Sequence, residues 1–233
     1  MANSEKILVT EHMLEVRHAA VGSFLDVRGY VADKVRGKSF LPHWKIDSNV
    51  VVFLDNPEKP SLETAFAGYK SFGYTVFNPP HKSFFQQRAS SFIKIILKNG
   101  QYQVHNVTRF GCRTKAFIPC DLDFISLNNK IHDSYFSSPF RESITDNPTD
   151  IQIVSEFSDT KFNARVTLGP MHENEASKHF NFQSDSFSSV GLFLDIDYFL
   201  GDGCATTALQ RNLDQAMDRI WAKVKGISKT LGV

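Results

Sequence analysis

The sequence predicts an α+β protein, an antiparallel sheet with an N-terminal helix and a longer C-terminal amphipathic helix. Three observations carry this. Short runs with alternating apolar and polar residues recur through the chain and end at Gly, Pro, Asn or Asp. A stripe of Leu209, Leu213, Met217, Ile220, Trp221, Val224 and Ile227 marks one face of a closing helix of about 22 residues. The long β–α alternation of a doubly wound parallel sheet is missing.

In chain order, MLEVRHAA reads as a strand. Val21, Phe24, Leu25, Val31 and Val35 then recur at helical spacing and predict a helix over about 20–36, stopped by Gly37. WKIDSNVVVFLD reads as one strand, and SFGYTVFNPP as another, closed by Pro79 and Pro80. FIKIILKNGQYQVHNVTRFGCRTKAF reads as a hairpin about Asn99-Gly100, a dipeptide that suits a two-residue turn because both positions tolerate positive φ. That register places Lys94, Lys98, His105, Arg109, Arg113 and Lys115 on one sheet face. Residues 121–150 are polar and turn-rich. IQIVSEF and FNARVTL pair around SDTK, GPMHENEASKHFNFQSDS reads as loop with short elements, and SVGLFLDIDYF is a strand. The closing helix is expected to be capped by Thr206 or Thr207. The 233 residues suit a single domain, residues 1–233. Strand-then-helix at both ends suggests two similar halves, about 1–125 and 150–233.

Composition narrows the class. Hydrophobic residues make up 42% and charged residues 22%, which is enough for a core without staples, and 21 Phe make that core aromatic. The apolar runs are too short for a membrane span, and the first residues do not have the pattern of a signal peptide. Cys112, Cys120 and Cys204 are scattered, without C-x-x-C spacing, which predicts reduced thiols, a cytoplasmic location and no zinc. No G-x-S-x-G elbow is present, and GDGCATT lacks the Lys of a P-loop. No cofactor is expected. His172 and His179, seven apart with Glu173 and Glu175 between them, read as an exposed polar loop rather than a metal site.

The net charge of +1 hides an uneven layout. Residues 64–120 carry 8 basic and no acidic side chains; residues 121–202 carry 5 basic and 14 acidic. One consequence would be docking of the two segments, within the chain or between protomers. Another would be a basic, aromatic-lined sheet face for nucleic acid, using Lys94, Lys98, His105, Arg109, Arg113 and Lys115.

The carboxylates of LFLDIDYFLGDG raise a separate question. At i and i+2 of a strand, Asp195 and Asp197 share a face with Phe193 and Phe199. They suit cross-strand pairing with Arg or Lys, a divalent cation with Asp202 as third ligand, or a partner.

VTRFGCRTKAFIP and LFLDIDYF, followed by the terminal helix, resemble a sporadically distributed bacterial family of roughly this length whose function is uncharacterised. That family has an arginine-glycine-x-arginine strand in mid-chain and an apolar strand with Asp-Ile-Asp before its C-terminal helix. The matching residues are Arg109, Gly111 and Arg113, then Asp195 and Asp197. The family pattern continues with an aromatic and an asparagine where this chain has Thr114, Lys115 and Ala116. The resemblance implies a bacterial, phage-defence-related setting. It also implies that the two motif strands are neighbours, with Arg109 and Arg113 clamping Asp195 and Asp197.

Together these expectations favour a non-catalytic binding or assembly subunit, partnered by other protein subunits in a homo- or hetero-oligomer. A nucleic-acid-binding module is the alternative, and a metal-dependent phosphoryl-transfer enzyme built on Asp195 and Asp197 is the third reading.

Overall fold

The computed structural model describes residues 8–58, 61–144, 148–180 and 187–233. Nine strands form one antiparallel sheet: β1 (Val9–His18), β2 (His43–Ile46), β3 (Val50–Leu54), β4 (Glu63–Gly68), β5 (Ser71–Phe77), β6 (Val107–Pro119), β7 (Ile153–Ser158), β8 (Asn163–His172) and β9 (Val190–Leu200). Among the described residues, six α-helices accompany them: α1 (Phe24–Arg36), α2 (Phe84–Leu97), α3 (Phe124–Tyr135), α4 (Ser138–Ile144), α5 (Glu173–His179) and α6 (Leu209–Leu231). This is the α+β architecture that the sequence predicts, with its N-terminal helix and long C-terminal helix.

The strand order is β2-β3-β4-β5-β1-β6-β9-β8-β7. β1 and β6 lie side by side at the centre, and each is flanked by the last strand of its own half, β5 or β9. The element order also repeats: strand, helix, a meander of strands, then a helix that packs back on the sheet. The strand order is thus matched about the β1–β6 seam, with β6 falling inside the expected first half, about 1–125, rather than opening the second.

Helices α1, α2, α3 and α6 pack on one face. There Leu14, Phe72, Phe110, Leu194, Leu213 and Met217 belong to one large core cluster. Burial of apolar surface at ~25 cal/mol per Å2 is the main favourable term holding these layers together. Among the described residues, the opposite face is bare over most of its width. At one end α5 covers a smaller apolar cluster that includes Val9, Phe77, Phe117, Phe180 and Phe193.

Several expectations are corrected. Residues 84–97 are helical, so the Asn99-Gly100 hairpin does not exist. Phe85, Ala89, Phe92, Ile93 and Ile96 are buried at three- and four-residue spacing, the packed face of a helix. Asn99 instead ends that helix in a side-chain turn, its Oδ1 accepting from the backbone N–H of Gln101 and Tyr102 at 3.2 and 3.1 Å. WKIDSNVVVFLD is two strands, β2 and β3, with a turn between them. Strand β4 and helices α3 and α4 lie where no regular element was expected. The closing helix is entered through a 3-10 turn, Thr206–Ala208. Its N-cap is Ala208, and neither threonine caps it. Gly37 does stand at the C-cap of α1.

Candidate functional site

Strand parity brings a field of charge together at the centre of the bare face. β1 contributes Glu11, Met13, Glu15 and Arg17; β6 contributes Arg109, Gly111, Arg113 and Lys115; β9 contributes Asp195, Asp197 and Phe199; β8 contributes Asn163, Arg165 and Thr167. Their rungs are set by the ladders Glu11↔Lys115, Met13↔Arg113 and Glu15↔Gly111 between β1 and β6. Arg113↔Asp197 and Lys115↔Asp195 follow between β6 and β9, then Arg165↔Asp197 and Thr167↔Asp195 between β8 and β9.

The bonds do not simply follow the rungs. Arg113 grips Asp195, one rung away from its opposite residue, with Nε to Oδ1 at 2.7 Å and Nη2 to Oδ2. Arg109 reaches two rungs along to donate from Nη2 to Asp197 Oδ2 at 3.0 Å, while its Nη1 lies 3.6 Å from Glu15 Oε2. To do so the guanidinium lies across Gly111, where a Cβ would stand 2.7 Å from Nη1. The glycine of the Arg-Phe-Gly-Cys-Arg stretch is thus the floor on which the first arginine rests. The same rung holds Gly73, which carries the ring of Phe66 in the same way. Arg109 also stacks on Phe199 at 5.1 Å. At the α5 end, Lys115 donates to Glu11 Oε1 at 3.0 Å and to the backbone carbonyl of His179, and Glu11 is fully buried. Arg17 binds Glu15 from its own strand. At the outer end Arg165 meets Glu156 at 3.4 Å, both largely exposed.

These surroundings shift the titration of the group. The hydrogen bond to Asp195 raises the pKa of Arg113 further. Burial pushes the Asp197 carboxyl above its usual value, against the opposing pull of Arg109 and Arg113.

Of the residues expected to form a basic face, Arg109, Arg113 and Lys115 do share one. Lys94 and Lys98 do not join them: they are exposed on α2 or at its end, and His105 is exposed in the loop before β6. The expected docking of the basic on the acidic segment is partial. Arg109 and Arg113 meet Asp197 and Asp195, but Arg88 pairs with Glu63 at 2.7 Å and Lys115 with Glu11. Sequence reasoning missed Glu11, Glu15, Arg17 and Arg165. The alternation Glu11-Met13-Glu15-Arg17 was the signal for the first three.

No family model matches the chain, and no curated protein matches it.

Two depressions open on this face. A polar one of about 360 Å3 is lined by Arg113, Arg165, Thr167, Asp195 and Asp197. A neighbour of about 430 Å3 shares Arg165 and Asp197 and runs toward Glu156, Asn163 and Phe199. Among the described residues, no cluster of three or more His, Cys, Asp or Glu side chains is arranged to hold a metal ion. Asp202, considered above as a third ligand, is exposed in the turn after β9. Cys112 is buried and its thiol is pushed far up, which makes it inert; Cys120 is also buried and Cys204 half-buried. Among the described residues no helix is long and apolar enough to cross a membrane.

Proposed function

We propose that the protein is a non-catalytic binding or assembly subunit that meets another protein subunit on its bare sheet face. The observation behind this reading is the composition of that face. Its half toward β2 carries Val50, Val52, Leu54, Phe66 and Met13, all partly exposed and outside both core clusters. Its other half carries paired charges. An apolar patch beside a field of paired, mutually neutralising charges offers a protein partner both apolar surface to bury and polar groups to match. The bacterial, phage-defence-related setting belongs to the same proposal and rests on the Arg109–Gly111–Arg113 and Asp195–Asp197 motifs alone.

The rival readings have less support. Arg109, Arg113 and Lys115 each face a carboxylate of the same chain, so nucleic-acid phosphates would compete with Asp197, Asp195 and Glu11 and be repelled by them. Both oxygens of Asp195 are engaged by Arg113, which supplies the countercharge that a cation would bring.

The test is light scattering over a concentration series with wild type and Val52→Glu. A wild-type oligomer that dissociates in Val52→Glu, at an unchanged melting temperature, supports assembly through this face. A strictly monomeric wild type overturns self-assembly, and an oligomer indifferent to Val52→Glu overturns the choice of face.

A further inference from the structure

One rung of the bare face alternates in sign across four neighbouring strands: Arg113, Asp197, Arg165 and Glu156. Arg165 stands between two carboxylates and turns outward to Glu156, its one ion-pair partner among the described residues. Asp197 receives a hydrogen bond only from Arg109, through Oδ2, again among the described residues. Its carboxylate is largely buried, and burial raises its pKa against the pull of Arg109 and Arg113. Between Arg165 and Asp197 lies the polar depression, with the Thr167 hydroxyl in its wall.

The lining holds two arginines and two aspartates, so its charge cancels while its signs stay apart. A simple anion entering there meets Asp195 and Asp197, and a simple cation meets Arg113 and Arg165. A ligand with both charges, held a few bonds apart, meets neither penalty. We propose that this depression binds the head of a free amino acid, its ammonium on Asp197 and its carboxylate on Arg165 and Thr167. Both contacts are charge-assisted hydrogen bonds, and the volume lies within the ~300–1,000 Å3 of small-ligand sites. The site lies in the charged half of the face that the assembly reading also uses; light scattering tests assembly by mass, and the titration below tests the ligand.

The experiment is an amide-shift titration of the 15N-labelled full chain with glycine, acetate and methylammonium at one ionic strength. Glycine is expected to give saturable shifts at Thr167 and Asp197, with acetate and methylammonium far weaker. Arg165→Gln alters an exposed side chain and leaves the fold intact; it should weaken glycine binding by about tenfold, the loss of one charge-assisted contact. Thr167→Val should weaken it less. The proposal is overturned by shifts that never saturate, by acetate binding as well as glycine, or by equal affinity in Arg165→Gln.

Discussion

Arg113 faces Asp197 across the β6–β9 ladder but gives its guanidinium to Asp195, one rung along. That offset leaves Asp197 to Arg109, which can reach it only by crossing Gly111. Two aspartates of one strand are thereby served by two arginines of the next, and neither pair stands directly opposite.

Gly111→Ala should therefore act through Arg109. The added methyl takes the place of the guanidinium, which is a flexible tip and can leave, but leaving breaks the contact with Asp197. A loss of about 1.5–3 kcal/mol in urea unfolding is expected, the size of one hydrogen bond to a charged group. In an Arg109→Ala background the same substitution should be close to neutral. Equal costs in both backgrounds would place the effect in the strand backbone and not in Arg109.

Asp195→Asn and Asp197→Asn should differ at neutral pH. Asp195 accepts two bonds from Arg113; asparagine keeps one acceptor but loses the charge and the second bond, at a cost of about 1–3 kcal/mol. Arg113 is 45% exposed, so solvent screening keeps this toward the low end. Asp197 is the opposite case. Its folded pKa lies above the unfolded value, so its ionised form is the less favoured one in the fold. Its contribution is stabilising below the unfolded pKa and is lost as pH rises through the folded one. Asparagine imitates the protonated form, so Asp197→Asn should cost less than Asp195→Asn. Chemical denaturation of both variants at neutral pH reads the order directly.

Met217→Ala should be among the costly changes on α6. Met217 is fully buried and its sulfur meets Cys112 Sγ at 3.5 Å. Truncation there leaves a cavity worth about 2–5 kcal/mol, measured as a fall in denaturation midpoint. Trp221 was expected to be buried in the same stripe. It is only half-buried, its ring edge-on to His12, so Trp221→Ala should cost less than a fully buried tryptophan would.

What was legible in the sequence follows from which signals are local. β1, α1, β5, the β7–β8 hairpin, β9 and α6 are long or cleanly periodic, and their positions were readable. FIKIIL was not, because a short apolar run fits a strand and a buried helix face equally, and the Asn99-Gly100 pair tipped the reading the wrong way. α3 was hidden by its composition: FISLNNKIHDSY is rich in polar, turn-forming residues. It is started by Asp123, whose carboxylate accepts from Ser126 N–H at 2.8 Å. The site divides similarly. The shared faces of Arg109 with Arg113 and of Asp195 with Asp197 follow from parity. That β1 sits beside β6, adding Glu11 and Glu15, is a long-range pairing that no local pattern states.

The last prediction concerns His12, which parity places on the helix-covered face of β1. Its Nδ1 shares a hydrogen bond with Thr114 Oγ1 at 2.8 Å, and its ring packs against Phe85 and Trp221 at 5.2 and 5.6 Å. Thr114, Phe85 and Trp221 are uncharged, and Lys82 lies over the indole of Trp221. Burial lowers the pKa of His12 from 6.5 to about 4. The unfolded chain therefore binds a proton that the folded chain refuses between those two values. The stability of the neutral imidazole is fully present above pH 6.5 and is lost as the pH falls toward 4, by up to about 1.4 kcal/mol per pH unit. His12→Gln cannot titrate, so this part of the acid sensitivity should disappear even if the variant is less stable throughout. Urea unfolding of both proteins across that window decides the matter: parallel pH curves would mean that His12 is not the group responsible.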